Sequence, residues 1–310
     1  MIIDSHYHFY FQKLKEPDAL KRAKSQVDIW YRSAGIKPEK PLIEMARDRM
    51  EITYDPDGAK LLQRMEEAGI DLTVVFANDG DYKSAEAEIM AAQRACAELS
   101  RRTPNKIISF ASIHPNRKNA PELLRTCINE YGMRGLKWHP ALGLFDPTSP
   151  EAYNVLRVAQ ELNVPLVTHT GSIYGSANGK FSHPMHLDQI ALDFPGLTVV
   201  GAHMGHLLWH DWCEVAYFKR NVYGDLSEWQ IFAVGQYEWF CRTLREMIDL
   251  VGVDRILFST DGPYMELVVS NAKWVKIIKD LPGNAPKGIQ FKEEEIAAIL
   301  GGNAKRILGI

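Results

Sequence analysis

His6 and His8 stand one residue apart at the end of the short apolar run Met1-Ile2-Ile3, within the stretch Asp4-Ser5-His6-Tyr7-His8. Alternate residues of a strand project to the same side, so a strand here aims both imidazoles at one point where they can grip an ion. Two imidazoles do not close a metal site, and the remaining ligands must come from elsewhere in the chain. Other apolar runs also end in polar or ionisable residues. Lys137 and His139 follow Gly135-Leu136, His169 follows Val164-Pro165-Leu166-Val167, His203 follows Val200-Gly201-Ala202, and Asp261 follows Ile256-Leu257-Phe258 after two residues. A lone histidine of this kind is commonly a hydrogen-bonded structural residue; its recurrence at several strand ends is what points to a shared centre. His6, His8, His169 and Asp261 together offer three nitrogens and one carboxylate, a set that suits zinc or a similar divalent ion. Asp261 behind an apolar run would be an expensive buried charge without a partner, and a cation supplies one.

These residues meet only if the elements that carry them converge. Eight β-rich runs recur, at residues 1–8, 72–77, 106–113, 135–138, 165–169, 197–202, 222–226 and 255–259. Amphipathic segments lie between them at 58–68, 85–100, 121–130, 150–162 and 242–251. Alternating strands and helices predict an α/β protein with a parallel sheet. A count of eight with right-handed crossovers predicts a closed (β/α)8 TIM barrel, which gathers all C-terminal strand ends into one ring. An open doubly wound sheet is the competing architecture, but no GxGxxG follows the first strand. Two stretches exceed the minimal repeat. Residues 9–57, charged and aromatic, are expected to form a helical insertion after strand one, and residues 207–219 a second elaboration after strand six. Both leave from the side where barrel active sites assemble. Residues 302–308 read as a closing helix packed on the barrel. With no linker or repeat, residues 1–310 are expected to form a single domain.

Composition narrows the function classes. Hydrophobic residues make up 46% of the chain, enough for a large core, and the net charge of −3 gives no electrostatic case for nucleic acid or an anionic membrane. No apolar run approaches the roughly 18–20 residues that span a bilayer. Cys96, Cys127, Cys213 and Cys241 are scattered without CxxC spacing. The N-terminus reaches Asp4 and His6 at once, unlike a signal peptide. The expectation is a cytoplasmic enzyme with a small-molecule substrate and neither a nucleic-acid nor a membrane partner.

The chain resembles the amidohydrolase superfamily, in the branch called amidohydrolase 2 that includes the aminocarboxymuconate semialdehyde decarboxylase relatives. The resemblance rests on residues 4–8, Gly135-Leu136-Lys137-Trp138-His139-Pro140 and Val164-Pro165-Leu166-Val167-Thr168-His169-Thr170-Gly171. It continues with Val200-Gly201-Ala202-His203-Met204-Gly205-His206, Leu257-Phe258-Ser259-Thr260-Asp261-Gly262-Pro263 and Gly302-Asn303-Ala304. These run in order along essentially the whole chain. The resemblance implies that His6, His8, His169 and Asp261 bind one divalent metal ion, zinc foremost and manganese second, with His203 as the catalytic histidine beside it. In some superfamily branches a carboxylated lysine on strand four bridges two metals, and Lys137 stands on the comparable strand. In this branch one metal is usual, which leaves Lys137 or His139 to help hold an anionic substrate. His206 departs from the family pattern, where glycine is common; substrate contact and a helix cap are its two readings. Asp4 shares the face of His6 and His8 and either orients a ligand histidine or satisfies barrel polar groups. Trp138, Trp209, Trp212 and Trp229 either form an aromatic wall for a flat substrate or belong to the core. A homodimer is implied by the resemblance alone.

Metal-assisted hydrolysis of a small lactone, amide or ester is the leading expectation. Asp261 would accept a proton from a water whose pKa the metal lowers toward roughly 7, and His203 would steady the developing oxyanion. The same ligands could instead serve decarboxylation of an aromatic or muconate-like acid, because function resides in the substrate contacts and not in the fold. That reaction calls for a cation facing the carboxylate, and Lys137, Arg47 and Arg49 are the candidates. A metal-stabilised binding protein without catalysis is a third reading.

Overall fold

Short runs rich in Val, Ile and Leu become eight parallel strands in the computed structural model, which describes residues 1–14, 18–77, 79–80, 82–175 and 177–310. They are β1 (Ile3–His8), β2 (Leu72–Phe76), β3 (Ile107–Phe110), β4 (Leu136–Trp138), β5 (Leu166–His169), β6 (Val199–Ala202), β7 (Val222–Asp225) and β8 (Ile256–Leu257). Continuous ladders join β1-β2-β3 and β4-β5-β6-β7-β8. A bridge between Ala111 and Leu136 links β3 to β4, where the Ala111 N–H donates to Gly135 O (2.8 Å) and Lys137 N–H to Ala111 O (2.7 Å). At the other seam Tyr7 pairs with Gly262, the Ser5 N–H donates to Phe258 O (3.0 Å) and the His8 N–H to Gly262 O (2.7 Å). These contacts complete a (β/α)8 ring, as the strand count predicts. Gly135 makes the β3–β4 approach possible, since a Cβ there would lie 2.3 Å from the Phe110 ring.

The amphipathic segments supply the outer helices Ala59–Ala68, Glu86–Arg102, Ala120–Asn129, Pro150–Glu161 and Tyr237–Val251. Helix Pro150–Glu161 shows how sequence dictates this. Ser149 accepts from the Ala152 N–H (3.2 Å) as N-cap, and proline occupies the first turn, where its missing N–H costs nothing. Its buried face is Ala152, Val155, Leu156, Val158 and Ala159. Each fully buried Val or Leu contributes roughly 1.5–3 kcal/mol. The expected closing helix is Asn303–Leu308; it seals the bottom of the barrel by packing Ala304 and Leu308 on Ile3, Val74, Val200 and Leu257. Asn303 Nδ2 anchors it by donating to Val253 O and Ile256 O, both at 2.8 Å.

The segment after β1 is helical, with α1 (Asp18–Ser33) and α2 (Leu42–Thr53) packed on one another at the C-terminal end of the ring. After β6, residues 209–218 form the crossover helix to β7, with Trp212 buried and its Nε1 donating to Tyr223 O (3.2 Å). The four cysteines are buried and unpaired. No helix among the described residues is long and apolar enough to cross a membrane.

Candidate metal centre

β1 presents His6 and His8 to the barrel interior. Nδ1 of His6 lies 2.9 Å from Asp225 Oδ2, both side chains fully buried. A carboxylate can only accept, so Nδ1 carries the hydrogen and Nε2 keeps its lone pair. That lone pair faces a cluster: His8 Nε2 at 3.2 Å, Asp261 Oδ1 at 3.2 Å, and Lys137 Nζ at 3.1 Å, which donates to it. His8 Nε2 is in turn 3.5 Å from Asp261 Oδ1. One ligand atom from each of His6, His8 and Asp261 therefore lies within 4.8 Å of the other two. Burial pushes the His6 imidazole down to about 4 and His8 well below its ordinary value, leaving both neutral near pH 7. Burial pushes the Asp261 carboxyl up to about 6, against the pull of His6 and Lys137. Two neutral imidazoles and a buried carboxylate directed at one point are the donor set a divalent cation takes.

A second histidine group adjoins the first. His169, at the end of β5, stacks on His139 with ring centroids 3.8 Å apart. Its Nε2 faces Ser172 O (2.8 Å) and its Nδ1 faces His203 Nε2 (3.0 Å). His203 Nδ1 is 2.7 Å from Ser227 Oγ. Asp225 ties the groups together: while Oδ2 holds His6, Oδ1 accepts from the backbone N–H of His203 (3.0 Å) and Ser227 (3.1 Å) and from Ser227 Oγ. Burial opposes its ionisation, but the His6 ring and these donors hold its carboxyl well below the usual carboxylate range.

Of the residues singled out in the sequence, His6, His8 and Asp261 share one ligand point, and His169 stands beside it against His203. His139 lines the same cavity, and Lys137 touches His6. Asp4 accepts from Thr260 N–H (2.9 Å), Thr260 Oγ1 (2.6 Å) and His6 N–H (3.2 Å), so it ties β1 to the end of β8 and touches no imidazole. Trp138 turns outward; its Nε1 donates to Ile113 O (2.8 Å) and its ring packs on Phe145. His206 lies outside the cavity lining, 4.7 Å from the Phe232 ring, and makes no cap to the helix that follows. Trp209, Trp212 and Trp229 are core, although Trp229 Nε1 steadies the His203 loop by donating to His203 O (2.8 Å). Asp225 and Glu228 are not among the sequence candidates, although Asp225 ends a strand just as His169 does.

The ligand point opens into a cavity of about 140 Å³, roofed by the insertion through Trp30 and Arg49. Arg49 is buried, with its guanidinium over the rings of Tyr264 (4.5 Å) and Trp30 (5.4 Å). It has no hydrogen-bond or ion-pair partner among the described residues, and its Nε is an orphaned buried donor. Arg47 is exposed on the same helix. Glu228 also lines the cavity, its carboxyl pushed up to about 8 by burial and the nearby Asp261 charge. His203, Glu228 and Asp261 have left-handed backbones (φ 65°, 67° and 51°), strain that costs residues bearing a Cβ and is concentrated here at three strand ends.

The family described as Amidohydrolase matches residues 3–310. Protein fluG of Emericella nidulans is 27% identical over 165 residues, covering 51% of this chain and 19% of fluG, so the chain spans about a fifth of that curated relative. Among solved structures, a 5-carboxyvanillate decarboxylase from Novosphingobium aromaticivorans, complexed with manganese and 4-hydroxy-3-methoxy-5-nitrobenzoic acid, aligns with a TM-score of 0.69 at 16% identity. That alignment covers 100% of this chain and 96% of the other. 4-Oxalomesaconate hydratase from Rhodopseudomonas palustris aligns with a TM-score of 0.66 at 20% identity, again over 100% of this chain and 96% of the other. At these identities the likeness speaks for the shared barrel fold.

Proposed function

The chain belongs to the amidohydrolase family, and from that premise we propose that it is a divalent-metal-dependent decarboxylase of a small aromatic carboxylic acid. One observation carries this reading: Arg49 is a buried guanidinium on the cavity wall that stacks on aromatic rings and, among the described residues, has no carboxylate or hydrogen-bond partner. A buried cation left unpaired is costly, and a substrate carboxylate offsets that cost while fixing its own orientation. The rings of Tyr264 and Trp30 beside it suit a flat substrate. The activity of the manganese-bound structural neighbour, a 5-carboxyvanillate decarboxylase, supports the same class. Hydrolysis of a neutral lactone, amide or ester uses the same ligands but has no use for Arg49, and takes second place.

His6, His8 and Asp261 would hold one divalent ion, with His169 adjacent; imidazole and carboxylate donors accommodate zinc or manganese. When bound, such an ion supplies electrophilic polarisation of a substrate oxygen. The chain's own residues do the rest. Arg49 binds the carboxylate and the insertion shields the cavity from water. Loss of carbon dioxide breaks the bond between ring carbon and carboxyl carbon and leaves an electron pair on the ring carbon, which one proton must quench. Asp261, whose carboxylate lies at the ligand point on the cavity wall, is placed to pass that proton through a carboxyl oxygen. Asp225 keeps His6 in one tautomer, and Ser227 keeps His203 against His169.

The test is carbon dioxide release from a panel of aromatic carboxylic acids by metal-loaded protein, with lactones and esters assayed in parallel. The reading expects release from at least one acid and a rise in KM of tenfold or more in Arg49→Met. Hydrolysis of a lactone or ester without any carbon dioxide, unaffected by Arg49→Met, would overturn it.

A further inference from the structure

Trp30, on α1 of the insertion, is fully buried, and its indole N–H donates to the Tyr174 hydroxyl on the loop after β5 (3.0 Å). In an eight-stranded ring the loop after β5 stands opposite the exit of β1, so this bond crosses the mouth of the barrel. The cavity lies beneath it, with Gln26 and Trp30 on one wall and Tyr174 and Ala177 on the other. An indole N–H can only donate, so the Tyr174 oxygen accepts and its own hydrogen goes on to the Glu228 carboxyl. Ser172 Oγ donates to the same carboxyl. Tyr174 thus ties the insertion to the loops after β5 and β7 at one point. Ile173 and Gly175, its neighbours in the chain, are both exposed. Further fastenings of the insertion lie on the side of β7, β8 and β1. Tyr31 OH donates to Leu267 O (2.7 Å), and the Tyr10 and Tyr264 hydroxyls hydrogen-bond one another. The helix after β7 comes so close that a Cβ on Gly235 would lie 2.8 Å from Ala34 C.

We propose that the Trp30–Tyr174 bond is a latch: the insertion is hinged on the side of β7, β8 and β1, and parts from the β5 loop at this bond to let ligands and the metal pass. The β5 side carries this hydrogen bond and an edge-to-face contact of the same two rings, centroids 6.1 Å apart, against several tethers on the other side, so it is the side that opens first. Parting the two groups costs the net worth of one hydrogen bond, because both meet water once separated. That cost keeps the mouth shut most of the time and still lets it open often. The inference stands on the tethers alone and holds whatever substrate the cavity takes.

Tyr174→Phe removes the hydroxyl and keeps the ring, and Trp30→Phe removes the indole N–H. Zn²⁺-loaded wild type, the two variants and the double variant are mixed with excess chelator, and the rate of Zn²⁺ release is followed. Amide hydrogen exchange over residues 18–33 is measured in parallel, with urea unfolding as the check on folding. A helix of 16 residues is only marginally stable once undocked, so exchange in α1 reports opening. Tyr174→Phe should unfold cooperatively and should speed both release and exchange about threefold to tenfold, the scale of one buried hydrogen bond. The double variant should release Zn²⁺ no faster than the faster single variant, because the two groups make one bond. Release unchanged in a folded Tyr174→Phe protein, or single effects that multiply in the double variant, overturns the latch and leaves the metal site standing. If wild type binds no Zn²⁺, exchange in α1 decides the latch by the same factors, and only the metal site is contradicted.

Discussion

Asp225→Asn isolates the tautomer that prepares His6 for a metal. The amide keeps the shape of the carboxylate, and its oxygen can still accept from the backbone N–H of His203 and Ser227, at 3.0 and 3.1 Å in the wild type. Its NH₂ then faces His6 Nδ1 across 2.9 Å, where the wild type has an acceptor. Two donors cannot share that gap, so His6 must move its hydrogen to Nε2, the nitrogen directed at His8 and Asp261. The lone pair that would bind the ion is lost unless the ring reorients. Groups that orient a ligating histidine are typically worth 10–100-fold in metal affinity, about 1.4–2.8 kcal/mol. Competition titration of Zn²⁺ or Mn²⁺ against a chromophoric chelator measures this directly, with circular dichroism as the check on folding. A folded Asp225→Asn protein whose affinity lies within about threefold of wild type would refute the reasoning.

Other consequences follow from buried groups around the ring. Asp79 accepts from Arg117 Nε (2.7 Å), Arg117 Nη2 (2.8 Å) and the His114 N–H (2.7 Å) in a buried site, so Asp79→Ala should cost about 3–5 kcal/mol in urea unfolding; a loss below about 1 kcal/mol would contradict that view of the pair. Glu228 titrates at about 8 when folded and near 4.5 when unfolded, so the folded state binds the proton more tightly. The stability this contributes is fully present below about pH 4.5 and is lost as pH rises through about 8. Wild type without metal should therefore lose more stability than Glu228→Gln between pH 5 and pH 8 in parallel urea titrations, and identical slopes would contradict the buried-carboxyl assignment.

The barrel was legible because its strands are buried on both faces and so stand out as short apolar runs between amphipathic helices. The centre was legible because strand ends converge, which turned His6, His8, His169, His203 and Asp261 from scattered residues into neighbours. Asp225 obeys the same rule at the end of β7, but its run Val222-Tyr223-Gly224 carries no histidine that would mark it as part of a ligand set. Trp138 was resolvable in principle, since Lys137 and His139 share the inward face of β4 and the residue between them must point outward. Arg49 and Arg47 were not separable by sequence. Their helix belongs to an insertion whose docking angle depends on tertiary contacts such as the bond from Tyr31 OH to Leu267 O (2.7 Å), and only that docking buries one arginine and exposes the other. The partnership of Ser172, Tyr174 and Glu228 joins the loops after β5 and β7, a convergence that no local pattern encodes.

The central claim is that His6 and Asp261 form part of one divalent-metal site. The most direct measurement is the metal content per chain of purified wild type, His6→Ala and Asp261→Ala after equilibration with Zn²⁺ or Mn²⁺ and removal of free ion, by inductively coupled plasma mass spectrometry. The account predicts about one ion per wild-type chain and a sharp loss in both variants while they stay folded. Unchanged stoichiometry in both would contradict it.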